Sequence, residues 1–271
     1  MTIASYNRIG HQTITMKTTG NTILITGGGS GIGRGLAEAF HALGNHVIIA
    51  GRRKQALDET TAANPGMTSL PLDIEDPANI RAFAVRVAAQ YPALNVLINN
   101  AGIMRVEKLQ AQQDDLADAE SIVAINLLGP IRLTAALLPV LQKQPSSTIM
   151  NVSSGLAFVP MAPTPTYSAT KAAIHSYTQS LRYQLQGSKT EVLELVPPYV
   201  ATELLGGASA SDPRAMPLGE FIAEAMEILE TQATATEICV ERVKPLRFAA
   251  ESGHYDSVFR GLNEAMASAA H

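Results

Sequence analysis

A phenol and an ammonium stand four positions apart in this chain, at Tyr167 and Lys171. The residues that follow, with Ile174, Tyr177, Leu181 and Leu185 apolar, have helical spacing, and on a helix positions i and i+4 share one face. Thr164 and Pro165 predict the N-cap and first residue of that helix. A phenol with an ordinary pKa near ~10 can pass a proton to a carbonyl oxygen, and a neighbouring cation stabilises the phenolate left behind. An amphipathic helix also carries such pairs on its solvated face without any chemistry. The decision rests on what the rest of the chain brings to them.

A second concentration of unusual residues is Thr26-Gly27-Gly28-Gly29-Ser30-Gly31-Ile32-Gly33. It joins the apolar run Thr22 to Thr26 to a segment whose stripe is Ile32, Leu36, Phe40 and Leu43, ended by Gly44. A strand entering a helix through glycines lets backbone approach a phosphate, and the helix N-terminus offers free N–H donors and a positive dipole end. The spacing here is G-x-x-x-G-x-G, carried by Gly27, Gly31 and Gly33, rather than G-x-G-x-x-G. No Lys-Ser/Thr follows, which excludes a nucleoside-triphosphate P-loop, and no G-x-S-x-G elbow of a serine hydrolase is present.

Between and around these motifs, strand and helix patterns alternate. Further strands are expected at His46 to Ala50, Met67 to Leu72, Val96 to Ile98, Thr148 to Val152 and Glu191 to Val196, with helices between them. The strands are almost continuously apolar, which is the pattern of a parallel sheet covered on both faces. The expectation is an α/β fold, a doubly wound parallel sheet of six to seven strands in a single domain, the seventh strand near Val240. Residues 1–19 read as a loose N-terminal extension, 20–271 as the domain, and 198–271 as a substrate loop and C-terminal cover, with Leu218 to Glu230 helical.

Composition excludes several functions. Of 271 residues, 46% are hydrophobic and 16% charged, so a large core can form. The net charge of −4, without a basic run, argues against a nucleic-acid or anionic-membrane surface. No apolar run approaches the ~20 residues of a membrane span, residues 1–19 do not read as a secretory signal, and a cytoplasmic location is expected. Cys239 is the single cysteine, so no internal disulfide forms, and the six histidines show no metal-ligand spacing.

Three further features complete a pattern: Asn99-Asn100-Ala101-Gly102 after the fourth strand, Asn126 in the long helical region that follows, and Ser154 thirteen residues before Tyr167. With the glycine turn and Tyr167-x-x-x-Lys171, they resemble the short-chain dehydrogenase/reductase family from about Thr22 to Thr202. The resemblance implies a Rossmann-type fold and hydride transfer between a nicotinamide cofactor and a carbonyl/alcohol pair. It implies Tyr167 as acid/base, and Lys171 lowering the phenol pKa and bonding the nicotinamide ribose. Ser154, favoured over Ser153 by its offset, would bond the substrate oxygen, and Asn126 would support a water-linked proton path. Cofactor contacts implied are Gly27, Ser30, Gly31, Ile32 and Gly33 in the turn, Asp73 and Ile74 at the adenine, and Asn99, Ala101 and Gly102 beside the adenosine ribose. Pro197, Val200 and Thr202, with Tyr167 and Lys171, complete the nicotinamide side. Pro197-Pro198 replaces the family's usual Pro-Gly, as in a subgroup named after D-alanine esterification.

The cofactor form follows from the second strand. The position where a carboxylate would bond the ribose 2′-OH of NAD is Gly51, followed by Arg52 and Arg53. Guanidinium groups suit a 2′-phosphate, so NADP rather than NAD is expected, with Arg52 the principal contact. Leu156, Phe158, Val159, Met161, Tyr199, Leu204 and Leu205 would give the substrate an apolar lining, fitting an apolar ketone or aldehyde. The small residues Ala169, Ala172, Ala173, Ser176 and Ser180 would let the Tyr167 helix pair in a homodimer or homotetramer. A protein on this fold that binds NADP as a catalytically idle sensor or scaffold is the alternative.

Overall fold

Alternation of side chains along the strands accounts for the two layers of the core. Leu24, Ile48, Leu97, Ile149 and Val192 point to one face of the sheet, and Ile23, Ile25, Val47, Ile49, Val96, Ile98, Met150, Leu193 and Leu195 to the other. The computed structural model describes residues 16–111, 115–204, 212–232 and 234–268. The strands are β1 Thr22–Thr26, β2 His46–Gly51, β3 Thr68–Pro71, β4 Val96–Asn99, β5 Ser147–Val152, β6 Thr190–Val196 and β7 Glu237–Cys239. They form one sheet in the order β3-β2-β1-β4-β5-β6-β7, every pairing parallel. The seventh strand is real but only three residues long, paired through Glu194 with Glu237, Leu195 with Ile238 and Val196 with Cys239.

Helices α1 Gly31–Ala42 and α7 Leu218–Thr231 cover one face. On the other lie α3 Pro77–Gln90, α5 Gly129–Leu141 and α6 Pro165–Gln184. Helix α2 Lys54–Ala63 flanks the β2–β3 edge. The short α4 Ala117–Val123 continues into α5 through a π-turn at Ala124–Leu128. The whole helix Ala117–Leu141 is, by length and composition, apolar enough to cross a membrane, unlike the shorter uninterrupted runs. Here Ile125, Leu133, Leu137 and Leu141 lie in the core against the sheet. Helices α8 Lys244–Arg247 and α9 Tyr255–Ser268 close the chain.

Two domain expectations shift. Residues 16–19 are tied down: Met16 is core, and the Asn45 and Asn21 side chains donate to the Thr18 and Lys17 carbonyls at 2.8 and 2.7 Å. The segment after Pro198 is only partly a cover, because α7 packs on α1 and β7 extends the sheet. Leu205 and residues 206–211, within the stretch expected as substrate loop, lie outside the described residues. The strand order reverses between β1 and β4, and in open parallel sheets ligands bind beyond the carboxyl ends of the strands at such a point.

Candidate active site

Both motifs at the switch point are locked together by one hydroxyl. Thr26 Oγ1 accepts from the backbone N–H groups of Asn100 and Ala101, each at 3.0 Å. Asn100 Nδ2 donates to the Thr26 carbonyl at 2.9 Å, bracing the start of the glycine turn. Gly27 and Gly31 take φ of 68° and 52°, the left-handed region that costs a glycine little. At Gly33 a Cβ would lie 2.3 Å from the Gly27 carbonyl oxygen, so helix and turn are in contact. Ser30 at the N-cap of α1 makes no side-chain capping bond. The first-turn N–H groups thus face an opening without a side-chain acceptor, and a dinucleotide pyrophosphate fits there in size and charge.

From this turn a cleft of about 520 Å³ runs to the end of β5 and α9. Arg52 and Arg53 project at its outer rim. Arg53 donates to Ser30 Oγ at 2.5 Å and lies 4.0 Å from Glu203, whereas Arg52 stands 3.6 Å from Glu75.

Tyr167 and Lys171 lie at the other end, on the buried face of α6. Thr164 is the N-cap and Pro165 the first residue of this helix, as expected, but the Thr164 side chain makes no capping bond. The Thr164 hydroxyl is buried without a partner, and the carboxylate of Glu107, from the loop after β4, accepts from Thr166 N at 3.0 Å and Thr166 Oγ1 at 2.7 Å. A negative charge there also opposes the helix dipole, so Glu107 fixes the turn that carries Tyr167. Burial pushes the Tyr167 phenol up to about 12, partly offset by its hydrogen bond with Ser154. Among the described residues the only lowering influence is that of Ser154, not the one expected from Lys171. Burial also brings the Lys171 ammonium down to about 8, opposed by the charge of Glu194. Lys171 Nζ donates to the Val152 carbonyl at 2.7 Å and lies 5.6 Å from the centroid of the Tyr167 ring. Ser154 Oγ, at the end of β5, accepts from Leu156 N at 3.1 Å.

A family model of short chain dehydrogenases matches residues 21–212. This chain belongs to that family. The uncharacterized oxidoreductase DltE of Bacillus subtilis is 38% identical over 251 residues, 92% of this chain and 98% of its own length. A short-chain dehydrogenase from Sphingobium yanoikuyae, solved in complex with NADPH, superposes with a TM-score of 0.74 at 26% identity, covering 89% of this chain and 95% of that one. A short-chain dehydrogenase/reductase from Burkholderia phymatum, in complex with NAD, gives 0.74 at 21% identity over 88% and 95%, a likeness of fold. The protein is an oxidoreductase of this family.

Most of the expected site residues of this short-chain dehydrogenase line that cleft: Gly27, Ser30, Gly31, Ile32, Arg52, Arg53, Ile74, Ala101, Gly102, Ser154, Tyr167, Lys171, Pro197, Val200 and Thr202. Four do not. Gly33 contributes by contact with Gly27. Asp73 turns its carboxylate to the Glu75 N–H at 3.1 Å. Asn99 is buried and donates to Thr134 Oγ1 and Asn151 Oδ1 at 3.0 and 2.8 Å, so it braces the sheet to α5 while its neighbour Asn100 faces the cleft. Asn126, in the π-turn, accepts from Ile103 N and donates to Ile103 O, both at 2.9 Å. Its amide also donates to Thr170 Oγ1 at 3.4 Å, so it ties the loop after β4 to the helix that carries Tyr167. π-Turns inside α-helices recur at functional sites, and this one aims Asn126 at that loop.

On the substrate side, Leu156, Met161, Tyr199 and Leu204 line the cleft as expected, whereas Phe158 and Val159 do not. Val159 is fully buried, and Phe158 packs edge-on against His175. Sequence reasoning missed Met104, Leu262 and Met266, which complete the apolar end. Residues 198–271 were expected as a substrate loop and C-terminal cover, but nothing in that stretch told which element the apolar face of α9 would meet. Asn263 holds that helix in place, accepting from Ala162 N at 2.6 Å and donating to Pro160 O at 3.2 Å.

Proposed function

We propose that the protein reduces an apolar ketone or aldehyde with NADPH, Tyr167 acting as the proton donor. The observation that carries this reading is the juxtaposition of Tyr167, Ser154 and Lys171 at the apolar end of a cleft whose other end is the glycine turn. When bound, NADPH supplies the hydride. The rest belongs to the chain. Ser154 and Tyr167 present two hydroxyls to one carbonyl oxygen, and such donors stabilise charge that develops on it in the transition state. A phenol held protonated up to about 12 is an acid across the neutral range, which favours the reductive direction. The charged Lys171 stabilises the phenolate formed when the proton leaves. Met104, Leu156, Met161, Leu262 and Met266 exclude water and favour an apolar group on the carbonyl.

Preference for NADP rests on Gly51 and the two guanidinium groups beyond it. Arg53, bonded to Ser30 of the glycine turn, joins Arg52 as a 2′-phosphate contact. The exposed face of α6 with Ala169, Ala172, Ser176 and Ser180 supports pairing with a second copy of the chain as a dimer or tetramer, which light scattering would read.

The test is NADPH and NADH absorbance against a panel of ketones and aldehydes graded in polarity, with Tyr167→Phe as control. Turnover of apolar members, faster with NADPH and lost in Tyr167→Phe, is expected. Binding of NADPH without turnover of any carbonyl would favour the sensor alternative.

A further inference from the structure

Behind Tyr167 and Lys171, on the side away from the cleft, lies a second ionisable cluster. Glu194, in the middle of β6, is fully buried. A carboxylate so far from water is tolerated only when it is hydrogen-bonded or paired. Its partner is His175, one helical turn beyond Lys171 on α6, with Nδ1 at 2.9 and 3.1 Å from the two carboxylate oxygens.

The histidine is itself held from outside. Phe158 meets its ring edge-on at 4.6 Å, and the Arg247 guanidinium lies 4.5 Å from the Phe158 centroid. Arg247 is anchored by Glu237 at 2.6 Å and Glu251 at 2.8 Å. Lys171 lies one helical turn from His175 on the same helix, and its hydrogen-bond acceptor is the neutral Val152 carbonyl. Val152 is the β5 residue paired with Leu195, next to Glu194 on β6, while Glu194 itself pairs with Asn151. An ammonium in such a site needs an anion within its field to stay charged.

The groups facing the cluster are few. Helix α6 supplies Tyr167, His175 and Arg182, the last spent on the Val192 and Thr236 carbonyls at 2.8 and 3.0 Å. Strand β6 supplies Glu191 and Glu194, β7 Glu237 and Cys239, and α8 Lys244 and Arg247. Strand β5 carries no charge. The ligand atoms of His175, Glu194 and Glu237 lie within 4.8 Å of one another, a spacing a metal could use. Arg247, however, bonds both Glu237 oxygens, at 2.6 and 3.2 Å, so a guanidinium already occupies that position.

We propose that Glu194 and His175 are positioning residues for Lys171: His175 clamps the Glu194 carboxylate behind helix α6, and the carboxylate keeps the Lys171 amine charged one turn from Tyr167. Glu194 is the anion whose charge opposes the loss of the Lys171 proton on burial. The catalytic consequence rests on the reductase reading; the coupling of charges does not.

The experiment uses the full chain labelled with 13C at the lysine ε-carbon and titrated by NMR, the Lys171 signal being assigned by its loss in Lys171→Met. Glu194→Gln keeps the shape and removes the charge, and it is expected to move the Lys171 midpoint toward acid by about one pH unit. His175→Gln, a milder change that serves if the first variant does not fold, is expected to move it the same way by less. The alkaline limb of kcat/KM for carbonyl reduction should shift in parallel, an effect that general loosening of the core would not give. A Lys171 midpoint unmoved in the folded variants overturns the proposal. A shifted midpoint in a chain that turns over no carbonyl upholds the coupling and sinks the reductase reading instead.

Discussion

Around Gly27 and Gly31 the cleft is walled by backbone and by residues without side chains, whereas around Tyr167 it is walled by buried polar side chains. The nucleotide end offers N–H groups, a helix dipole and space, none of which titrates. The carbonyl end offers a phenol pushed up to about 12 and an ammonium brought down to about 8, both by burial. Binding at the first end should thus be nearly independent of pH and sensitive to added volume. Chemistry at the second should be sensitive to pH and to charge, because desolvation costs the charged forms most.

The largest effect is expected for Tyr167→Phe, which keeps the ring and removes the proton donor. Turnover should fall by about 10²–10⁴-fold while NADPH affinity, measured by fluorescence titration, stays within a factor of two or so. Equal losses in both would merge the two ends into one.

Lys171→Met probes the charge at the carbonyl end through stability. The folded chain releases the Lys171 proton at about 8 and the unfolded chain at 10.5, so between those values the unfolded state holds more protons. Wild-type stability relative to the variant should rise across that window by roughly 3 kcal/mol. Below about 8 the cost of the buried ammonium is fully present, and above 10.5 it is gone. Taking the difference cancels Tyr167 and Cys239, whose raised values act in the opposite direction. Denaturant melts at several pH values read the difference, and a flat one would remove the contrast between the ends.

At the nucleotide end, Gly33→Ala places a methyl group 2.3 Å from the Gly27 carbonyl oxygen. Overpacking of this kind costs about 1–3 kcal/mol, expected as weaker NADPH binding with little change in the pH profile. The smallest effect is at the rim. Because Arg52 and Arg53 are solvent-exposed, replacing either with Ala should lower the NADPH-over-NADH ratio of kcat/KM by roughly tenfold or less, about 1 kcal/mol. Loss at Arg53 larger than at Arg52 would follow from its bond to Ser30.

How legible each end was follows from the same contrast. Glycine spacing, apolar strand runs and the Tyr167-Lys171 interval are local, and local sterics and periodicity express them wherever the chain goes. Strand β7 was hard to see because three residues leave almost no period to read. Asn99 and Asn100 look alike in sequence, and only the pleat of β4 sends one into the sheet's polar brace and the other to the cleft. Thr164 and Pro165 read as a cap and the start of a helix. They do sit there, yet Glu107, remote in sequence, makes the capping bonds.

The sequence by itself determined the architecture, the glycine cradle at the end of β1 and the identity of the residues able to do chemistry, because each depends on backbone conformation or short-range spacing. Tertiary structure alone decided how those residues behave. It closed the apolar end with Leu262 and Met266 from α9, made Asn126 tie the loop after β4 to the Tyr167 helix and set Glu194 behind Lys171. Burial and long-range contact govern solvation and charge, and neither is a property of neighbours along the chain.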